Sequence, residues 1–303
     1  MSSVRYCENS NTNKVQRVLI LSMTPALTRN AVWAAGLCGL PCDVVTDFAG
    51  ASWCRQAHVG RIFPVPQRRV AEMDATLLEE VFGQLSSGYK GIFAPVDTLC
   101  TRYVAGGQHS LPEGMLHYPI PELNQFDALY DKWQFHGVAM KIGIPQPQSH
   151  RITSCELPAA ALPYPVIVKP SWGEGSFGFK VQEDERALRE HVSVLKPSEE
   201  TPYLIQEYLP GEDIDLSLMA DHGRIVAWAI QQRMDNAAIN FLEHDEVYEL
   251  GERLVAATGY HGVMHLDMRI DERNGRVNVI EANPRFWGSL CYATWAGVNF
   301  LEV

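Results

Sequence analysis

Near the C-terminus, two short stretches carry acidic and amide side chains that could share a cation. The stretch GVMHLDMRID, which contains Asp267, alternates its side chains with period two, and VNVIEAN places Glu281 and Asn283 on one face. The pair Asn274-Gly275 between the two stretches is typical of a hairpin turn. We therefore predict two antiparallel strands that bring carboxylate and amide oxygens together.

The register of this hairpin decides whether the two carboxylates meet. A three-residue loop at 273–275 pairs Glu272 with Arg276. The same register places Asp267 opposite Glu281, whereas a two-residue Asn-Gly loop breaks that opposition. Carboxylates with Cβ atoms about 5 Å apart destabilise the strands unless a cation or a shared proton intervenes. Two carboxylates and an amide oxygen suit Mg²⁺. The alternative is a solvent-facing acidic hairpin, which the following sequence ANPRFW disfavours.

A glycine-rich stretch, VIVKPSWGEGSFGFKV, could hold phosphate groups. It contains G-x-G-x-x-G at Gly173, Gly175 and Gly178, but the residues FKV after it favour a strand rather than the helix that a dinucleotide loop opens. We predict a hairpin tip whose backbone N–H groups approach a triphosphate, with Ser176 as a hydroxyl donor and Lys169 as a point charge. No G-x-x-x-x-G-K-[ST] loop is present. The alternative is a flexible tip beside a lysine.

The stretch YLIQEYLPG is an apolar strand that breaks at a Pro-Gly turn. Such a strand end can offer its backbone to an adenine edge, and Gln206 or Glu207 could accept the exocyclic amine. An acid beyond the turn, Asp213 or Asp215, could bind ribose hydroxyls. The alternative is an ordinary strand end.

Two arginines could act on anions. Arg285, just after the acidic hairpin, could stabilise a phosphoryl group in transfer or clamp a substrate carboxylate. Its structural alternative is an ion pair with one of the acids. Arg233, in AWAIQQR, could face an acceptor pocket.

Composition excludes several classes of function. The 303 residues carry a net charge of −11, which argues against a general binder of nucleic acid or anionic membranes. The seven cysteines contain no C-x-x-C, and without a signal peptide they predict a reducing cytoplasm. No apolar run approaches a membrane span. The ten histidines contain no H-E-x-x-H, and we expect no zinc site.

The N-terminal part alternates strands and helices. Strands at 18–22, 43–47 and 92–95, with a helix at 28–40, predict a parallel, doubly wound sheet. No glycine follows the first strand, so we interpret this region as a scaffold, with a small ligand at the strand ends as the alternative. Further on, helices are expected from about 124 to 143, at 183–195 and at 244–258.

Taken together, five motifs in this order resemble the ATP-grasp superfamily, particularly its carboxylate–amine ligase and carbamoyl-phosphate-synthetase-like branches. They are DK…GIPQP, VIVKPSWGEGSFG, IQEYLPGEDID, HLDMR and VIEANPRFWGS, and the match runs from about Leu123 to the C-terminus. The resemblance implies an α/β and α+β protein with a Rossmann-like pre-ATP-grasp domain before a two-lobed ATP-grasp fold. The expected division is a flexible tail at 1–16, the pre-ATP-grasp domain at 17–122, an N-lobe at 123–205 and a C-lobe at 206–303.

The resemblance also implies roles for single residues. Asp213 departs from the family pattern, in which a glutamate is common. The ATP-binding residues would be Lys132, Lys169, Gly173, Gly175, Ser176, Gly178, Gln206, Glu207, Leu209 and Asp213. The metal ligands would be Asp267, Glu281 and Asn283. The catalytic residue would be Arg285.

The activity implied by the resemblance is an ADP-forming ligation that needs ATP and Mg²⁺, with Mn²⁺ as an alternative metal. A small carboxylate would be activated as an acyl phosphate and attacked by an amine. The alternatives are a bicarbonate-using carboxylase or carbamoyl-phosphate-like enzyme, and a non-catalytic ATP-binding subunit. Only 18 residues follow Arg285, whereas many members of the family carry further elements that complete the acceptor pocket. A partner chain, a homodimer or a truncated gene product could therefore be involved.

Overall fold

The structure is a computed structural model that describes residues 5–6, 17–107, 109–160, 162–175, 177–234 and 238–302. The chain divides into two compact units. Unit 1 comprises Met1–Asp127, Leu216–His265 and Asn283–Val303, and unit 2 comprises Ala128–Asp215 and Leu266–Ala282. Both units are thus built from separate stretches of sequence. Our sequence-based division at residues 16, 122 and 205 cuts the chain differently and stays a prediction.

A short strand precedes the N-terminal sheet: β1 (Arg5–Tyr6). The sheet contains β2 (Val18–Leu21), β3 (Cys42–Thr46), β4 (Val59–Pro64), β5 (Gly91–Pro95) and β6 (Met115–His117). All neighbouring strands are parallel, in the order β4-β3-β2-β5-β6. The connecting helices are α1 (Pro25–Leu37), α2 (Gln67–Ala71), α3 (Leu77–Gly83) and α4 (Thr98–Gly106), with a 3-10 turn at Ser52–Arg55.

Strand β2 shows why this sheet is covered on both faces. Val18 and Ile20 belong to one hydrophobic cluster and Leu19 and Leu21 to another, and all four are buried. A strand that is apolar on both faces is typical of a parallel sheet between helical layers. The predicted doubly wound sheet is confirmed. Helix α1 begins three residues before the predicted start because Pro25 suits the first turn of a helix.

Unit 2 contains a four-stranded antiparallel sheet. Its strands are β7 (Ser149–Ile152), β8 (Val166–Pro170), β9 (Lys180–Gln182) and β10 (Tyr203–Glu207), in the order β7-β10-β8-β9. Helices α6 (Lys132–Lys141) and α7 (Glu185–Leu195) belong to this unit, and α5 (Leu123–Tyr130) begins in unit 1 and ends in unit 2. The apolar side chains of β8, β10 and α7 form its core.

The predicted helix from about 124 to 143 is two helices. Asp131 has extended backbone angles, and its carboxylate accepts hydrogen bonds from the N–H groups of Trp133 and Gln134 at 3.0 and 2.8 Å. This is an N-cap, which starts a new helix because it satisfies otherwise unpaired N–H groups. The break fixes Lys132 as the first residue of α6.

A six-stranded sheet is formed by the C-terminal half of the chain together with β1. Its further elements are β11 (Gly211–Asp221), β12 (Arg224–Arg233), β13 (Ile239–Leu242), α8 (Asp245–Thr258), β14 (Gly262–Asp271) and β15 (Val277–Asn283), and α9 (Leu290–Trp295) follows. The order is β1-β12-β11-β14-β15, with β13 also paired to β12. The boundaries between the two units fall within α5, β11, β14 and β15.

The N-terminal tail differs from the expectation at one place. Arg5 and Tyr6 pair with Trp228 and Ala227 of β12, although we predicted a loose tail over 1–16. The other residues of 1–16 lie outside the described part of the chain. Among the described residues, no helix has the length and hydropathy needed to cross a membrane.

Candidate active site

The glycine-rich stretch forms the predicted hairpin. Strands β8 and β9 are antiparallel, with Val166 opposite Gln182, and the loop joins them. Gly173, Gly175 and Gly178 have φ angles of +129°, +68° and +76°, which L side chains rarely adopt. Glycine is therefore required for this backbone path. Ser176, the predicted hydroxyl donor, lies outside the described residues.

Two lysines meet one carboxylate below this loop. Lys132 Nζ and Lys169 Nζ each lie 3.6 Å from Oε2 of Glu281, and Lys132 Nζ also donates to the carbonyl oxygen of Gly173 at 2.6 Å. Lys132 and Lys169 are 8% and 5% exposed. All three side chains belong to unit 2, and we call them the lysine–glutamate cluster. It brings together two residues predicted to bind ATP and one predicted to bind metal.

The electrostatics of this cluster are unbalanced. Burial lowers the pKa of Lys169, and Lys132 lowers it further, whereas Glu281 and Asp267 oppose this by attraction. Within the cluster, two ammonium groups facing one carboxylate at 3.6 Å leave a positive charge in a poorly solvated place, and Asp267 offsets part of it. An anion such as a phosphate would compensate that charge.

The acidic hairpin exists, but its turn differs from the predicted one. The N–H of Asp271 bonds to the carbonyl of Arg276, and the N–H of Gly275 bonds to the carbonyl of Asp271, at 2.9 and 2.7 Å. The loop therefore has four residues, 272–275, and the predicted pairing of Glu272 with Arg276 is wrong. A left-handed Gly275 with φ of +71° closes this longer loop. The predicted opposition of Asp267 and Glu281, which was argued from that pairing, stays a prediction.

The close carboxylate pair in unit 2 involves a different acid. Oxygens of Asp215 and Asp267 lie within 4.8 Å of each other. We considered Asp215 only as a ribose ligand, because nothing in the sequence showed that β11 lies beside β14. Glu281 is connected to Asp267 through Lys169, which both acids attract. Carboxylates at this separation favour a shared cation or proton, so these residues fit a divalent metal ion.

Asn283 and Arg285 lie in unit 1, at the end of β15 and just after it. Arg285, 8% exposed, donates to Asn283 Oδ1 at 3.1 Å, to the Phe286 carbonyl oxygen at 2.6 Å and to Thr98 Oγ1 at 3.0 Å. Thr98 begins α4, next to the cap residue Asp97. The guanidinium is thus held at the carboxyl end of the parallel strand β5, where ligands of such sheets commonly bind.

Sequence reasoning missed Thr98. The feature that could have identified Thr98 in the sequence is the Asp97-Thr98 pair shortly after the parallel strand β5. Arg233, our acceptor-pocket candidate, lies exposed at the end of β12 in unit 1.

The predicted adenine hinge is held by arginines that the sequence did not identify. Arg273 bonds to Glu207 Oε1 at 2.7 Å and to both oxygens of Asp271, and we call these three residues the hinge cluster. Arg269 bonds to Asp213 at 2.5 Å and to the Gly211 carbonyl oxygen at 2.7 Å.

Other hinge side chains also have protein partners. Gln206, 4% exposed, donates from its amide to Ser149 Oγ at 2.9 Å, and the side chain of Leu209 is buried. The carboxylates of Glu207 and Asp213 and the amide of Gln206 are therefore engaged. The backbone after Glu207 is the part of the hinge best suited to read a base.

Comparisons with known proteins show a family match over part of the sequence and a shared fold. Residues 199–303 match the family described as "ATP-grasp in the biosynthetic pathway with Ter operon". The fold is similar to that of L-amino acid ligase from Bacillus licheniformis, with a TM-score of 0.70 and 16% identity over 96% of this chain and 73% of that one.

Two further solved structures show the same likeness. N5-carboxyaminoimidazole synthetase from Staphylococcus aureus in complex with ADP has a TM-score of 0.69 and 15% identity, over 97% of this chain and 78% of that one. Biotin carboxylase from Campylobacter jejuni in complex with β,γ-ATP has a TM-score of 0.67 and 16% identity, over 95% and 70%. The C-terminal third of the chain thus matches an ATP-grasp family, and the chain shares its fold with these three structures.

Proposed function

We propose that this protein is an ADP-forming ligase that activates a small carboxylate with ATP and Mg²⁺ for attack by an amine. The observation that carries the proposal is the lysine–glutamate cluster, in which Lys132 and Lys169 share one carboxylate below the glycine-rich hairpin. Buried positive charge beside a glycine loop suits phosphate oxygens better than any neutral ligand.

Different residues of unit 2 would bind the phosphates of the nucleotide and its metal ion. Lys132 and Lys169 would neutralise phosphate oxygens, and the loop glycines would let backbone N–H groups approach them. Asp267 and Glu281 would hold Mg²⁺, with Asp215 as a further acid beside Asp267. The bound metal would neutralise charge on the phosphates and orient them.

Arg285 is assigned to the reacting carboxylate or to its phosphorylated form. Its guanidinium is fixed by three hydrogen bonds in unit 1, so little conformational entropy is lost when it meets an anion. Asn283, our third predicted metal ligand, accepts one of these bonds. We infer that it positions Arg285 in addition to any role toward the metal.

A panel of amino acids and other small carboxylates, each with an amine and Mg-ATP, tests the activity through phosphate and ADP release. We expect turnover that requires both a carboxylate and Mg²⁺. ATP hydrolysis that never depends on a carboxylate contradicts the proposal. Tight ATP binding without any ADP formation would instead indicate a non-catalytic nucleotide-binding subunit.

Arg285→Lys separates the chemical step from nucleotide binding. The substitution keeps the charge but loses the planar fork, so we expect kcat to fall about 100-fold while the KM for ATP changes less than about threefold. Lys141→Met, at an exposed position in α6, is the matched control and should have wild-type kcat. An equal rise in the KM for ATP would place Arg285 at the nucleotide instead.

A bicarbonate-using enzyme is the second candidate. It is favoured by the likeness to a biotin carboxylase and to an N5-carboxyaminoimidazole synthetase. Removing bicarbonate from the buffer and adding it back distinguishes the two. ADP release that follows bicarbonate, with no response to other carboxylates, supports this candidate over the ligase.

A further inference from the structure

The turn between β11 and β12 has an unusual residue for its geometry. Asp221 ends β11, Arg224 begins β12, and the two residues between them, His222 and Gly223, have φ angles of +45° and +88°. Positive φ at both central residues defines a type I′ turn, for which Asn-Gly is strongly preferred. Histidine tolerates positive φ better than most residues, but it is less typical than asparagine at the first position of this turn.

The same turn is fixed against the loop that follows α8, within unit 1. The N–H of Gly223 donates to the carbonyl oxygen of Tyr260 at 2.7 Å. A Cβ atom on Gly223 would lie 3.2 Å from the Val255 carbonyl oxygen, so the two segments are in close contact. This contact brings His261, next to Tyr260, beside the turn.

Three metal-ligating side chains meet there. The rings of His222 and His261 stack with centroids 4.1 Å apart and an angle of 7° between their planes. His261 Nδ1 lies 3.4 Å from Asp221 Oδ1. One ligand atom from each of Asp221, His222 and His261 lies within 4.8 Å of the others. We call these three residues the turn site.

The turn site holds few competing partners. Nδ1 of His261 is screened from solvent and has no hydrogen-bond partner within the described part of the chain. The other oxygen of Asp221 lies 3.9 Å from the Arg224 guanidinium, in an ion pair that is largely exposed and therefore weak. A cation could replace the contacts of Asp221 with His261 and with Arg224 at little cost in free energy.

We propose that the turn site binds a divalent transition-metal ion of the zinc class through two imidazole nitrogens and one carboxylate oxygen. Imidazole ligands favour Zn²⁺, Ni²⁺ and Cu²⁺ over Mg²⁺, so the site takes a different metal from the one proposed for the nucleotide. Ligands around tetrahedral Zn²⁺ lie about 3.4 Å apart. Two stacked rings cannot both aim a nitrogen lone pair at one ion, so binding requires the exposed His222 ring to rotate out of the stack. This inference departs from our sequence-based expectation of no zinc site.

Bound metal would connect the β11–β12 turn to the loop after α8. The three ligands come from two segments, 221–222 and 261, which a hairpin and a helix separate in the sequence. An ion that binds the folded state and not the unfolded state would therefore stabilise unit 1. The role we assign is structural, and none of its residues belongs to the proposed catalytic machinery.

The test is a Zn²⁺ titration by calorimetry of the full chain in excess Mg²⁺. Cys155 is replaced by Ser in every variant, because its exposed thiol could bind zinc. His222→Asn is the decisive variant, since Asn suits a type I′ turn and the fold should be retained without the imidazole. His261→Asn removes the second imidazole, and His150→Asn on β7 is the matched control.

We expect one zinc site per chain that weakens at least about tenfold in both His222→Asn and His261→Asn, and is unchanged in His150→Asn. Zinc should also raise the melting temperature of the parent protein and of His150→Asn only. The proposal is overturned if the zinc affinity is unchanged in the two turn-site variants, or if it falls equally in His150→Asn. It is also overturned by a parent protein that binds zinc no more tightly than a variant that carries both His222→Asn and His261→Asn.

Discussion

Two charged clusters in unit 2 use the same kinds of side chain in opposite ways. In the hinge cluster, Arg273 contacts Glu207 and Asp271 at 2.7 and 2.8 Å. In the lysine–glutamate cluster, two more deeply buried cations each lie 3.6 Å from Glu281. The hinge cluster satisfies its charges within the protein, whereas the lysine–glutamate cluster leaves one positive charge in excess.

Geometry thus separates a structural ion pair from a binding site more clearly than residue type does. Short, multiple hydrogen bonds use up the donors and acceptors of Arg273 and Asp271. A buried lysine with a distant, shared partner has donors left for a ligand. The following substitutions test this difference.

The largest effect is expected for Lys169→Met. Loss of a charge that faces the phosphates should lower kcat/KM about 100- to 1000-fold. Stability should not fall, because the substitution removes a desolvated charge and its repulsion by Lys132. Steady-state ADP release and urea unfolding measure the two quantities, with Lys141→Met as control. A stable, fully active Lys169→Met protein would show that the cluster does not serve catalysis.

Glu281→Gln should lower both activity and stability. It leaves Lys132 and Lys169 without their shared carboxylate, and we expect the free energy of unfolding to fall by about 1–3 kcal/mol, since Glu281 itself is partly exposed. Mg-ADP, whose metal Glu281 would help to hold, should raise the melting temperature of the parent protein more than that of the variant. Phosphate alone should raise that of the variant more, because the variant has two lysines without their carboxylate. Thermal melts with and without these ligands provide the measurement, and equal shifts in both proteins would contradict the assignment.

Asp271→Asn should affect stability and its pH dependence more than activity. Hydrogen bonds from Arg273 lower the pKa of Asp271 to about 2. A lowered pKa means that the carboxylate stabilises the folded state above its unfolded pKa of about 4, and that this contribution is lost as the pH falls toward 2.

At pH 7 we expect Asp271→Asn to lose about 1–2 kcal/mol, because the partly exposed Arg273 weakens the pair. The difference from the parent protein should narrow between pH 4 and 2, which unfolding curves at several pH values would show. A constant difference across that range would mean that the ion pair is not its cause.

The smallest effect is expected for Glu207→Gln. The amide still accepts a hydrogen bond from Arg273, and only the charge is lost, so stability should change by less than about 1 kcal/mol. The KM for ATP should rise less than about threefold if the backbone reads the base. A change of preference from ATP to GTP would instead show that the carboxylate itself reads the exocyclic amine.

Most elements could be predicted from the sequence because their signals are local. Helix α8 (Asp245–Thr258) begins within one residue of the predicted span of 244–258 and ends with it, and His244 is its N-cap. The hairpin of β8 and β9 followed from a strand, glycines at turn positions and another strand. The break at Asp131 was missed, since a cap within an otherwise helical stretch is a weak local signal.

The sequence by itself determined the chemistry that is available: the two lysines, the glycine loop, the acids of the last hairpin and Arg285. Only the tertiary structure decided which of them meet, because contacts between distant strands depend on sheet order and register. A turn one residue longer changed the expected pairing at Glu272, and the neighbouring strand brought Asp215 to Asp267. A one-residue change of register moves a side chain to the other face of a sheet, so spacing in the sequence cannot fix such a site.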